Sequence, residues 1–144
     1  MFLSKSSEYA IRTVLYIAIR NENHYLPVHE IAEELQIPFH FLSKIIQTLS
    51  KYNIVSSVRG PKGGVTLARP AEQINLLEII HAIDGPYAFN GCILGLPGCG
   101  EANPCPLHDQ WVTAKENVVS IFTNTTIAEL AKKVQEEKLR LAGS

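Results

Sequence analysis

The segment that most restricts the fold lies between Ile54 and Ala68. There two β-branched runs, Ile54-Val55-Ser56-Ser57-Val58 and Val65-Thr66-Leu67-Ala68, flank Arg59-Gly60-Pro61-Lys62-Gly63-Gly64. β-Branched side chains suit extended backbone, and glycine with proline suits a chain reversal, so the segment predicts a β-hairpin with a basic, glycine-rich tip.

The residues before it read as helices. Ile11, Val14, Leu15 and Ala18 fall at the spacing of one helix face over residues 5–20, with Ser4 available as an N-cap. After the polar break Asn21-Glu22-Asn23-His24, the spacing returns with Val28, Ile31, Ala32 and Leu35, a helix of about two turns. Gln36-Ile37-Pro38 interrupts it, and Pro38 suits the first position of a third helix, where its missing N–H would have had no partner. In that helix Leu42, Ile45, Ile46 and Leu49 form the apolar stripe, and the opposite face carries His40, Ser43, Lys44, Gln47 and Lys51. Two short helices joined tightly, the second presenting cationic and hydrogen-bonding side chains, predict a helix-turn-helix. With a basic hairpin behind it, the unit is a winged helix, whose second motif helix enters the major groove while the wing reaches adjacent backbone or minor groove.

Beyond the wing, Asn75 with Glu78 has the pattern of a capping box opening a short helix that ends at Gly85. Residues 85–107 then hold Gly85, Gly91, Gly95, Gly98 and Gly100, four prolines and every cysteine, and predict an irregular loop. Helical character returns at His108, with Trp111, Ala114, Val118, Ile121 and Phe122 along one broad side. Asn124-Thr125-Thr126 breaks it, and Thr126 with Glu129 caps a final helix bearing Ile127, Leu130, Ala131 and Val134, before a frayed Ala142-Gly143-Ser144 tail. The expected fold is therefore mainly α with a small β-hairpin wing: a winged helix-turn-helix over 1–84, a cysteine-rich loop over 85–107, and a long helix plus a C-terminal helix over 108–144.

A chain of 144 residues, 46% hydrophobic and 19% charged, is long enough for one core and too apolar for wholesale disorder. No apolar run approaches the ~20 residues of a membrane span. The N-terminus reaches Lys5 and Glu8 before a signal-peptide core develops, so a cytoplasmic location and no membrane partner are expected. With 13 basic and 14 acidic residues the net charge is −1, yet from Leu35 to Ala71 there is no acid, while Lys44, Lys51, Arg59, Lys62 and Arg69 all fall there. Such a segment in a near-neutral chain predicts a local footprint for a polyanion, with a merely solvated face as the alternative.

Cys92, Cys99 and Cys105 are separated by six and five residues, and two residues separate Cys105 from His108. An odd number of cysteines is no disulfide scaffold. Glycine and proline between them let an irregular backbone turn its thiolates toward one point, and thiolates with an imidazole suit zinc or an iron–sulfur cluster. His29-Glu30 lacks the second histidine of a zinc-protease motif, and Gly60–Gly64 lacks the Gly-Lys-Ser/Thr of a phosphate loop. No nucleophile–base pairing is legible, so neither an enzyme nor a small-molecule substrate is expected.

Ser7-Glu8-Tyr9-Ala10-Ile11-Arg12, the wing Val58-Arg59-Gly60-Pro61-Lys62-Gly63-Gly64 and the cysteine loop ending Cys105-Pro106-Leu107-His108 together resemble the Rrf2 family of bacterial winged-helix iron–sulfur transcription regulators. The resemblance covers nearly the whole chain in order. It implies a homodimer swapped about the long C-terminal helix, bound to an operator in double-stranded DNA, with one 2Fe–2S cluster per subunit held by Cys92, Cys99 and Cys105. The fourth ligand in such regulators is either a histidine just after the third cysteine, which matches His108, or an acid of the partner's N-terminal helix, which matches Glu8; both are present. The interval from Cys92 to Cys99 is one residue longer than in the best-known members. Arg59 matches the wing arginine that enters the minor groove. His40, Ser43, Lys44 and Gln47 are assigned to the groove-facing side of the recognition helix, Lys44, Lys51 and Lys62 to phosphates, and Trp111, with Val118 and Phe122, to the subunit interface. A regulator whose operator affinity is set by a cluster sensing redox state, nitric oxide or iron–sulfur status is the function this implies. A zinc- or thiol-based regulator and a 2Fe–2S electron carrier are the alternatives, the last having no need of a basic winged helix.

Overall fold

The computed structural model describes residues 3–20, 24–98 and 100–141. Cys99, most of the break at 21–24, the first two residues and the 142–144 tail lie outside them. The elements run α1 (Lys5–Arg20), α2 (Val28–Leu35), α3 (Phe39–Lys51), β1 (Val55–Val58), β2 (Gly64–Leu67), a 3₁₀ turn (Ala71–Gln73), α4 (Leu76–Asp84), α5 (His108–Asn124) and α6 (Ile127–Glu137). This is the winged-helix architecture the sequence predicts, with small differences that each have a physical cause.

Helix α1 starts where Ser4 accepts a hydrogen bond from the Ser7 amide at 3.0 Å. Its buried set is wider than one stripe: Ala10, Thr13, Val14, Leu15, Tyr16 and Ile17 are all buried, while Ile11 and Ala18 are only half-buried. The reason is position. α1 touches α2, α3, α4, α6 and β2, so it is the central post of the domain rather than a surface helix. The fully buried Thr13 hydroxyl in mid-helix is satisfied by donating to the Tyr9 carbonyl at 2.7 Å.

The turn of the helix-turn-helix is made by Gln36 in the left-handed conformation (φ 57), with the Ile37 amide donating back to the Ala32 carbonyl at 3.0 Å and Ile37 itself buried. Pro38 stands one residue earlier than expected. Its carbonyl accepts the Leu42 amide at 2.9 Å, so it is the N-cap of α3 and not the first helical residue. Leu42, Ile45, Ile46 and Leu49 are buried as the stripe requires.

The hairpin pairs Val55 with Leu67 and Val58 with Gly64, so the tip is Arg59 to Gly63 and β2 starts one residue before the expected run. A two-stranded hairpin is marginal on its own. Here Leu26 adds a third, one-residue rung on the outer edge of β2, exchanging both backbone hydrogen bonds with Val65 at 2.9 and 2.8 Å. That approach demands glycine at 64, whose φ is +152 and whose absent Cβ would lie 2.1 Å from the Leu26 carbonyl oxygen.

Past the wing, α4 and α6 begin side by side. Asn75 caps α4 by accepting the Glu78 amide, and Thr126 caps α6 by accepting the Glu129 amide. The two caps bridge each other through Leu76 N–Thr125 O (3.1 Å) and Ile127 N–Ile74 O (2.8 Å). The chain thus leaves the core only after α4, whose Leu76, Ile79 and Ala82 are buried in it, passes through the loop and α5, and returns beside Asn75 at Thr126, after which Ile127 and Ala131 of α6 are buried in the same core as α1. Helix α5, by contrast, has no buried residue along its 17 positions.

Candidate nucleic-acid interface and cysteine loop

Helix α3 and the wing form the two walls of an open groove of about 910 Å³. Phe39, Ser43 and Gln47 lie on the helix side, Arg59 and Gly60 on the wing side, and Pro27 to His29 close one end at the start of α2. Among the described residues, Lys44, Lys51, Arg59 and Lys62 make no ion pair, and all are exposed. Unpaired cations beside a groove of this kind attract a polyanion without first breaking a salt bridge.

The expected recognition face is divided. Ser43 and Gln47 look into the groove, but Lys44 lines a separate depression with Ser6, Phe41, Thr48 and Ile83, on the flank toward α1 and α4. His40 and Lys51 are exposed between the two flanks. Phe39, 47% exposed, and His29 are groove residues that the sequence reading passed over. Phe39 was not legible as a groove residue, since it precedes Leu42 by three and Ile46 by seven and so continues the apolar stripe; only the fold shows it exposed at the start of α3.

Arg69 needs a correction. The charge count made it one of five unopposed cations, but its guanidinium pairs with the Glu78 carboxylate and also donates to the carbonyl oxygens of Asn53 and Gln73, each at 3.1 Å. The Glu78 side chain is accordingly not the returning arm of a capping box. Only the Asn75 half of that box is used, because a guanidinium is a stronger partner for a carboxylate than a single amide.

The described residues of 85–107 form turns and bends without a helix or strand, opened by Gly85 at φ +89. Among the described residues the loop is held against α5 by the Trp111 indole N–H, which donates to the Gly91 carbonyl at 3.1 Å, and by the Phe89 and Phe122 rings, which stack with centroids 5.7 Å apart. Cys92 and Cys105 are both half-buried. The Cys92 sulfur accepts the Leu94 amide at 3.4 Å, an arrangement that stabilises negative charge accumulating on sulfur. The His108 amide donates to the Cys105 carbonyl at 3.0 Å, which places the third cysteine and the histidine in one turn at the head of α5.

At the far end of the loop stem, Asp84 accepts hydrogen bonds from the hydroxyls of Ser4 and Ser7 at 2.6–2.7 Å, tying the last residue of α4 to the first turn of α1. Glu8 follows immediately, with Lys5 and Arg12 each 3.8 Å from its Oε1. The described residues do not gather three metal-binding side chains at one point, Cys99 being outside them. The donor types nevertheless fit a soft metal centre: two half-buried thiols, with a histidine in the same backbone turn as the second.

Known proteins agree with this geometry. Residues 3–133 match the Rrf2 description, iron-dependent transcriptional regulator. The chain belongs to the Rrf2 family. A putative HTH-type transcriptional regulator of Aquifex aeolicus is 35% identical over 141 residues, covering 96% of each chain. The HTH-type transcriptional regulator IscR of Klebsiella pneumoniae is 32% identical over 143 residues, covering 99% of this chain and 86% of that one. Among solved structures, IscR of T. potens superposes with a TM-score of 0.75 at 22% identity, covering 96% and 91% of the two chains, a likeness of fold. Like its Rrf2 relatives, this chain is a DNA-binding transcriptional regulator, and the groove between α3 and the wing is its candidate operator surface. No helix among the described residues is long and apolar enough to cross a membrane.

Proposed function

We propose that this Rrf2 protein is a homodimer whose operator affinity is set by a 2Fe–2S cluster, one per subunit, held by Cys92, Cys99 and Cys105 with either His108 or Glu8 of the partner subunit as the fourth ligand. The observation that carries the reading is the shared turn of Cys105 and His108 at the head of α5, with the loop pinned to the same helix by Trp111. A ligand set on that helix and a dimer contact along it would be mechanically one object. Support for the dimer comes from α5 itself, which carries Trp111, Val118, Ile121 and Phe122 yet buries none of them fully within one chain. A two-fold dimer sets two recognition helices at half-sites about one helical turn or a multiple apart, which raises both affinity and specificity.

In this reading residues 1–84 bind DNA, 85–107 hold the cofactor, and the segment from 108 joins the subunits. When bound, the cluster would supply a one-electron, oxidant-sensitive centre. The chain's own part is to present thiolates, to aim the Leu94 amide at sulfur, and to connect the loop to α1 through Asp84. The test is purification without oxygen, with visible absorption, iron and acid-labile sulfide measured alongside operator binding. Absorption that disappears together with a change in operator affinity supports the cluster. Zinc without visible absorption, or operator affinity that follows thiol oxidation alone, replaces it with a thiol- or zinc-based regulator.

A further inference from the structure

We propose that Arg69 is a positioning residue for DNA recognition: its guanidinium fixes the angle between the wing and the recognition helix. The inference rests on the wing acting as a minor-groove arm. It starts from the hairpin's base, where backbone pairing runs out. The Ala68 amide donates to the Ile54 carbonyl at 3.0 Å, and one residue further the ladder is continued by a side chain, with Arg69 Nε donating to the Asn53 carbonyl at 3.1 Å. Asn53 is the hinge itself. It has φ +60, in the tight turn between the end of α3 at Lys51 and the start of β1.

The same guanidinium donates to the Gln73 carbonyl in the 3₁₀ turn and pairs with Glu78 in the first turn of α4. One planar cation therefore ties the hinge after α3, the strand leaving the wing and the helix behind it. A guanidinium can do this because its five N–H groups diverge in a fixed fork, whereas an ammonium offers one point. Both partners are partly exposed, with side-chain exposures of 28% for Arg69 and 37% for Glu78, so the network's role is orientation more than stability.

The lever is long enough to matter. Leu26 holds the outer edge of β2 at Val65, opposite Ser57, so a change at the base turns the hairpin about that rung. At about 3.3 Å per residue the tip at Gly60 stands roughly 10 Å beyond it, and a turn of about 10° carries the tip through roughly 2 Å, more than a hydrogen bond tolerates. Groove contacts from α3 would not move, because α3 is held by its own buried stripe.

The test uses the full-length protein and a duplex that the wild-type chain itself enriches from a random-sequence pool. Arg69→Met is expected to lower affinity for that duplex about tenfold, the scale of one good specific contact. Hydroxyl-radical protection in the minor groove beside each half-site should be lost, while methylation protection of guanine N7 in the major groove is kept. Arg69→Lys, which keeps the charge without the fork, should behave the same way. Wild-type affinity in Arg69→Lys would mean that only charge matters, and equal loss of both kinds of protection would mean a phosphate contact or general damage; either overturns the proposal. Should melting show that Arg69→Met fails to fold, Glu78→Gln decides: partial loss confined to minor-groove protection supports the role, and an unchanged footprint overturns it. A wild-type chain that enriches no duplex at all overturns the DNA-binding reading underneath it.

Discussion

The indole N–H of Trp111 donates to the carbonyl oxygen of Gly91 at 3.1 Å, so the first turn of α5 holds the residue that precedes Cys92. A tether from a helix to a turn-only loop orders the loop at little cost, because the tryptophan is already held by its own helix. Trp111→Phe keeps the ring and removes the donor. Water can replace it on the exposed carbonyl, so global stability should fall by no more than about 1 kcal/mol. Amide exchange at Leu94 and Gly95 should quicken while that of Leu42 and Leu49 in α3 does not. Unchanged exchange in the loop would show that something other than this bond orders it.

Replacing Cys92, Cys99 or Cys105 singly by Ala should abolish visible absorption after anaerobic reconstitution, since a cluster with two remaining thiolates is short of soft ligands. His108→Ala and Glu8→Ala separate the two candidate fourth ligands: one should shift the absorption and the other leave it unchanged. A full spectrum in all three cysteine variants would sink the ligand assignment.

Gly64→Ala should destabilise the protein by about 1 to 3 kcal/mol in urea unfolding, because the new Cβ meets the Leu26 carbonyl at a distance no real contact has. Leu26 cannot retreat without giving up both bonds to Val65. Gly60→Ala is the control. It also has a positive φ, +115, but its Cβ would point into open space, so only the backbone strain of roughly 1 kcal/mol is expected. Equal losses at the two sites would contradict the steric account.

The elements were legible where one face of a helix or strand is buried and the other is not. Helix α3 shows this, with its four-residue stripe, and so do the caps Ser4, Asn75 and Thr126, each accepting from an amide three residues on. For α1 the periodicity located the helix, Lys5–Arg20, but not its full buried set, because neighbours pack on most of its sides and bury Ala10, Thr13, Tyr16 and Ile17 beyond the one stripe. It also fails for Glu78, whose spacing from Asn75 fits a capping box but whose carboxylate is taken by Arg69, nine residues upstream. Counting charges missed the same pair, since a window without acids says nothing of an acid that folds back onto it. The cysteines were visible as a cluster because they share one loop, whereas the tether that brings that loop to α5 joins residues 20 positions apart with no pattern in sequence.

If α5 joins two subunits, an ionised side chain on its uncovered side should separate them. Ile121 is the suitable site, being 59% exposed in the single chain and so of little consequence to the fold. Ile121→Glu should sediment as a monomer at micromolar concentration, with an unchanged circular dichroism spectrum, and should bind the paired site little more tightly than a single half-site. A dimer in this variant, or a monomer in the wild type, counts against the α5 interface.

The two kinds of DNA contact differ in how they respond to sequence and to salt. Lys51 is exposed at the end of the recognition helix and Arg59 at the first position of the wing tip, and neither makes an ion pair among the described residues. Lys51→Ala should weaken binding to all duplexes by a similar factor and flatten the dependence of log K on log salt by about one unit, because a phosphate contact acts mainly by releasing counterions. Arg59→Ala should instead lose more on sites whose flanks are A·T-rich, where a narrow minor groove deepens the potential that draws in a guanidinium. The expected difference between A·T-rich and G·C-rich flanks is about 1 to 3 kcal/mol, read by anisotropy titration at two salt concentrations. Arg59 is exposed and precedes the Gly60 to Gly63 turn, so the hairpin should survive the change, which a melting curve checks. Equal losses on operator and random DNA would reduce the wing to an electrostatic arm, and the positioning role of Arg69 would then have nothing to position.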